Sequence, residues 1–101
     1  MRVFISIPTE GRTDAEIARE LNAAIKIVKA DNPHEDIKVI GNFFREEPRN
    51  NNPVWCLGKS IELLSSADLA FFGKGWKDAR ECRIEFACAI AYEIEFLIQY
   101  D

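Results

Sequence analysis

Histidine occurs once in this chain, at His34, and cysteine three times, at Cys56, Cys82 and Cys88, with no Cys-x-x-Cys pair among them. An odd set of cysteines at that spacing, without partner histidines, points to neither a disulfide framework nor a zinc site, and no metal is expected. On a last helix read as below, Cys82 and Cys88 sit about 9 Å apart along the axis and point different ways, so they read as small buried hydrophobes. His34 falls in the turn-like segment DNPHED and reads as a solvated loop residue, which leaves serine–histidine or cysteine–histidine catalysis with little support. Long apolar runs are also missing. Residues 3–7 are too few for the core of a signal peptide, and no later run approaches the length that spans a bilayer, so the sequence predicts a cytoplasmic protein with no membrane partner. There is no basic excess either: 13 Lys and Arg stand against 17 Asp and Glu, a net charge of −4, which argues against a broad surface for polymeric nucleic acid. Gly73 and Gly75 make neither a GxGxxG fingerprint nor a Walker loop, so no NAD or ATP cofactor is expected.

What is present is a chain of 101 residues, 48% hydrophobic and 30% charged, with no linker and no internal repeat. It reads as a single domain over residues 1–101. Residues 3–7 form a short β-branched and aromatic run ended by Pro8 and Gly11. Thr13 and Glu16 have the spacing of a capping box, and Ile17, Leu21, Ala24, Ile25 and Val28 then recur at helical spacing until Asp31, Asn32 and Pro33. Residues 37–40 make a second strand, and a polar loop carrying Phe43 and Phe44 follows. Asn52 caps a helix that begins at Pro53, with Trp55, Leu57, Ile61 and Leu64 on one apolar stripe. Residues 68–72 are a third strand, residues 79–94 the last helix and residues 96–100 a fourth strand. The order βαβαβαβ predicts an α/β fold, a doubly wound three-layer sandwich of the flavodoxin or Rossmann-like kind. Its four-stranded parallel sheet takes the order 2-1-3-4.

One carboxylate stands out. From Ile84 to Tyr92 only Glu85 carries a charge, flanked by Ile84, Phe86, Ala87, Cys88 and Ala89. Such a group is desolvated, paired, or aimed into a cavity, and each environment moves its pKa. Its bland alternative is a core-edge glutamate that reaches solvent or pairs with Arg80, Arg83 or Lys74. Asp78 and Glu81 have capping-box spacing, with a helix starting at Ala79, and all three acids share one edge of that helix.

In open parallel sheets ligands lie beyond the carboxyl ends of the strands, at the switch in strand order, here between the first and third strands. The loops that converge there, residues 8–12, 41–52 and 73–78, carry Pro8, Arg12, Phe43, Gly73, Lys74, Gly75 and Trp76, with Ser6 at the end of the first strand. A base stacks on Trp76 in this reading, and a phosphate meets the basic groups and helix N-termini. Asp68 stands at the opposite end and reads as structural.

The first strand ending in ISIP, the SADLAFF strand and the segment GKGWKDARECRIEFACAIAY resemble the nucleoside 2-deoxyribosyltransferase-like superfamily, closest to a small branch without an assigned function. The resemblance runs through most of the chain. It implies that Glu85 is the nucleophile that attacks the anomeric carbon of a nucleoside or nucleotide, displaces the base and passes the sugar to another base or to water. Asp78 would then position sugar or water. The ligand implied is a small-molecule nucleoside or nucleotide. Departures from the family pattern are specific. Ser60 stands where the transferases carry a base-recognising aspartate, Ala79 replaces the second acidic residue with Asp78 offset by one, and Ile7, Glu81, Phe86 and Glu93 replace glycines. These favour, as alternatives, a nucleotide-binding module that has lost chemistry, or a structural protein that assembles through its last helix. That apolar helix also predicts a homo-oligomer.

Overall fold

The computed structural model describes residues 1–40 and 52–99. In chain order the elements are β1 (Arg2–Ser6), α1 (Asp14–Asp31), β2 (Lys38–Ile40), α2 (Pro53–Leu64), β3 (Leu69–Phe72), a 3-10 turn (Trp76–Asp78), α3 (Arg80–Ala91) and β4 (Phe96–Ile98). The four strands form one parallel sheet in the order β2-β1-β3-β4. The α/β fold and strand order expected from the alternating pattern are those observed. The central pair is in register from Val3 opposite Leu69 to Ser6 opposite Phe72.

Because side chains alternate along a strand, each face of this sheet builds its own core. Val3, Ile5 and Ile7 with Leu69 and Phe71 pack against Ile17, Ala24 and Val28 of α1. Phe4, Ala70 and Phe72 pack on the other face with Leu64, Trp76, Cys82 and Ala89, beneath α2 and α3. Ser6 shares the parity of Phe4 and so lies on the α2–α3 side. The same alternation that buries the core therefore delivers one hydroxyl to the site.

The helix starts expected for α1 and α2 are present. Thr13 Oγ1 accepts from Glu16 N–H while Glu16 Oε1 accepts from Thr13 N–H, closing the capping box. Asn52 Oδ1 accepts from the N–H groups of Val54 and Trp55, with Pro53 in the first turn.

The start of α3 differs from the expectation. Asp78 closes the 3-10 turn, Ala79 is the N-cap, and no side chain caps the helix. The cause is Gly75, whose φ of 85° turns the backbone so that Asp78 N–H bonds Gly75 O and Ala79 N–H bonds Trp76 O. Asp78 is thereby drawn into the turn and away from the capping position. Glu81 instead accepts from Arg80, at 2.8 Å from Nη2 and 3.2 Å from Nε.

Two further differences follow from packing. Trp55 leaves the expected α2 stripe and is 39% exposed, while Ser60 and Leu64 are the buried pair. At the far end of α3, Ile94 N–H bonds Ala89 O and Glu93 N–H bonds Ile90 O, a Schellman closure with Glu93 at φ 57°. Asp68 has the structural role assigned to it: its Oδ2 accepts from Arg2 N–H at 2.8 Å, at the end of the sheet away from Glu85.

Candidate active site at the carboxyl edge of the sheet

Gly73 and Gly75 bring the loops after β1 and β3 together. Gly73 N–H bonds Ser6 O at 2.8 Å, and a Cβ added to Gly73 would meet Ile7 Cγ2 at 2.5 Å, so only glycine fits. Over Gly75 lie Pro8 and Arg12, at 3.5 Å and 3.3 Å from where a Cβ would stand. These loops, the first two turns of α2 and the first turns of α3 enclose a cleft of about 1080 Å³ at the switch point of the sheet. Its floor holds Ser6, Ser60, Cys82 and Glu85, and around it stand Glu10, Arg12, Asp78, Arg80, Glu81 and Arg83.

Glu85 is 4% exposed. Ser6 Oγ donates to Glu85 Oε1 at 2.7 Å, and Ser60, also buried, lines the same cleft. Burial raises the Glu85 pKa to about 7, the two serine hydroxyls oppose that rise, and the Glu81 charge adds to it. The carboxyl group thus ionises near neutrality, where one side chain can serve as acid or as nucleophile. The Cys82 thiol is pushed up to about 11, chiefly by burial. It stays protonated and is no nucleophile. Glu81 is held below the usual carboxylate range, first by its hydrogen bond from Arg80.

Of the residues singled out from the sequence, Ser6, Pro8, Arg12, Gly75, Asp78 and Glu85 line this cleft. Three do not. Trp76 turns into the core beneath α3, its ring centroid 4.4 Å from that of Phe86 and 5.7 Å from that of Phe72, which leaves no indole face for a base. Lys74 is exposed outside the cleft, and Gly73 lies buried beneath Ile7, acting through backbone closeness alone. Phe43 falls outside the described residues. The α2 wall, with Pro53, Cys56, Leu57 and Ser60, was missed as a wall. A signal for it existed, since Leu57, Ser60 and Leu64 repeat at helical spacing with a serine in the buried position.

Among the described residues no three His, Cys, Asp or Glu side chains cluster to hold a metal. No described helix is long and apolar enough to cross a membrane. In comparisons with family models, with curated proteins and with solved structures, no match to this chain was found.

Proposed function

We propose that the protein is an enzyme acting on the N-glycosidic bond of a nucleoside or nucleotide, with Glu85 as nucleophile. The observation that carries this reading is the placement of Glu85: a buried carboxyl group, hydrogen-bonded by Ser6 Oγ, on the floor of a cleft at the switch point of a parallel sheet. The family resemblance had assigned the nucleophile to the same residue.

In the first step Glu85, ionised, attacks the anomeric carbon. The carbon–nitrogen bond breaks, its electron pair leaves with the base, the base takes up a proton from solvent, and the sugar remains as an ester of Glu85. In the second step water or another base attacks the same carbon, gives up its proton to solvent, and frees the carboxylate. Asp78, at the rim of the cleft, positions the sugar or the incoming water. Arg12, from the loop after β1, offers a guanidinium to a phosphate or a sugar oxygen. Incubation with a panel of nucleosides and nucleotides, with chromatography for free base, tests the reading; absence of free base from every member removes it.

A second reading, a module that binds a nucleotide without turning it over, draws on the protonation of Glu85. Below about pH 7 its carboxyl group is neutral and donates a hydrogen bond where a nucleophile would attack. Calorimetric binding of a panel member without base release selects it. Self-association belongs to either reading, because Ile84, Ile90 and Tyr92 on and just after α3 are exposed at 39%, 51% and 79%. Light scattering that finds a monomer at micromolar concentration removes that part.

A further inference from the structure

We propose that Glu81 recognises the sugar: one helical turn from Glu85 on the same face of α3, its carboxylate accepts hydrogen bonds from the 2′- and 3′-hydroxyls of a ribose. The ligand is then a ribonucleoside or ribonucleotide rather than its 2-deoxy counterpart. The inference rests on the reading of Glu85 as the nucleophile of a glycosidic enzyme.

Glu81 and Glu85 lie four residues apart within α3, the spacing that puts two side chains on one helix face with Cβ atoms about 6 Å apart. Both line the cleft. Because α3 begins just beyond the carboxyl end of β3, Glu81 in its first turn lies nearer the mouth and Glu85 a turn deeper. Exposure follows that order: Glu85 is 4% exposed, the Glu81 side chain 39%, so a ligand can reach Glu81.

In a β-linked nucleoside the base leaves from one face of the sugar ring, and the nucleophile that displaces it arrives from the other. The 2′- and 3′-hydroxyls of ribose lie on that second face, one and two carbons along the ring from the anomeric centre. A sugar set for attack by Glu85 therefore turns its diol toward α3, where the next carboxylate toward the mouth on that helix face is Glu81. An ionised carboxylate only accepts, through two oxygens, which suits a pair of hydroxyl donors. Arg80 keeps Glu81 ionised and aims it, donating to Oε2 from Nη2 at 2.8 Å and from Nε at 3.2 Å. Both bonds go to Oε2, so neither occupies Oε1. Hydrogen bonds to the 2-hydroxyl tighten in the transition state of glycosyl transfer, so such a contact serves rate as well as binding.

The other acids of the cleft are placed differently. Asp78 closes the 3-10 turn before the helix and Glu10 stands on the loop after β1, so neither shares the helical face from which Glu85 projects. Glu81 also stands where the resembled family pattern has glycine, which offers a diol no side-chain acceptor.

The test uses pairs of nucleosides and nucleoside monophosphates that share a base and differ only at the 2′-hydroxyl. In Glu85→Gln, which cannot form the sugar ester, calorimetry should find the ribose member bound about tenfold more tightly, and adding Glu81→Ala should remove that preference. With Glu85 intact, the ratio of kcat/KM for base release, ribose over 2-deoxyribose, should fall about tenfold in Glu81→Ala. The change in the ratio is the readout, because a 2-deoxyribosyl bond is intrinsically more labile and a purely structural Glu81 would alter both members alike. Glu81→Gln keeps the volume without the charge and should move the ratio the same way by less, which covers a failure of Glu81→Ala to fold. Equal binding of the two sugars in Glu85→Gln, or a ratio unchanged in both Glu81 variants, overturns the inference and leaves the glycosidic reading in place. If wild type releases no base and the binding preference for ribose still depends on Glu81, the sugar assignment stands and the glycosidic reading alone falls. Neither binding nor release of any pair overturns both.

Discussion

Ser6 Oγ and Glu85 Oε1, 79 positions apart in sequence, meet at 2.7 Å in the buried floor of the cleft. The contact joins the end of the first strand to the middle of the last helix, and the predictions below turn on the carboxyl group it holds.

Glu85→Gln keeps the size and polarity of the side chain and still accepts from Ser6, but has no carboxylate to form the sugar ester. Base release should fall at least about a thousandfold while far-ultraviolet circular dichroism is unchanged. Release at the wild-type rate would show that another group carries the chemistry.

Stability and activity should respond to pH in opposite directions. The folded-state pKa of Glu85 is raised to about 7 from an ordinary value of 4.5. The stabilisation from its neutral form is complete below pH 4.5 and is lost as pH rises through about 7, a decline of about 3 kcal/mol. Base release needs the ionised form and should climb over the same interval. Urea unfolding at about pH 5 and about pH 9 measures the decline. In Glu85→Gln this contribution should vanish, so a decline of equal size in the variant would assign it to other groups.

Trp76→Ala should act on the fold, since the indole packs among Phe72 and Phe86. Truncating a buried aromatic of this size costs about 3–5 kcal/mol. Lys74→Ala, at an exposed loop position, should leave both the melting temperature and ligand affinity within error. A Trp76→Ala protein with wild-type stability and weakened nucleotide binding would return the indole to the cleft.

Glu93→Gly should stabilise the protein. Glu93 sits at the left-handed position of the α3 Schellman closure, where a side chain is strained and glycine is not. The expected gain is about 1 kcal/mol, reduced by the extra freedom glycine has when unfolded. Thermal melting that shows a loss would mean the Glu93 side chain makes a compensating contact.

The sheet was legible in the sequence because four short apolar runs alternate with helical segments, and right-handed crossovers between them are met most simply by the order 2-1-3-4. Glu85 was legible as an isolated charge on an apolar helix. The turn before α3 was not, because Asp78 and Glu81 satisfy the capping pattern on paper while Gly75, with its positive φ, takes Asp78 into a 3-10 turn. That one turn also decides which way Trp76 faces, and nothing in the local residue types distinguishes core from cleft for an indole. Ser60 was visible as a departure from a family pattern and as the serine of a helical repeat with Leu57 and Leu64. That it faces the cleft depends on α2 lying beside α3, a tertiary relationship that spacing within one helix does not reveal.

Where Ile7 lies over Gly73 and Gly73 N–H reaches Ser6 O, the two loops leave the sheet already locked together. That interlock makes two walls of the cleft a single stiff jaw. The α2 side of the cleft, lined by Pro53, Cys56, Leu57 and Ser60, stands outside that interlock.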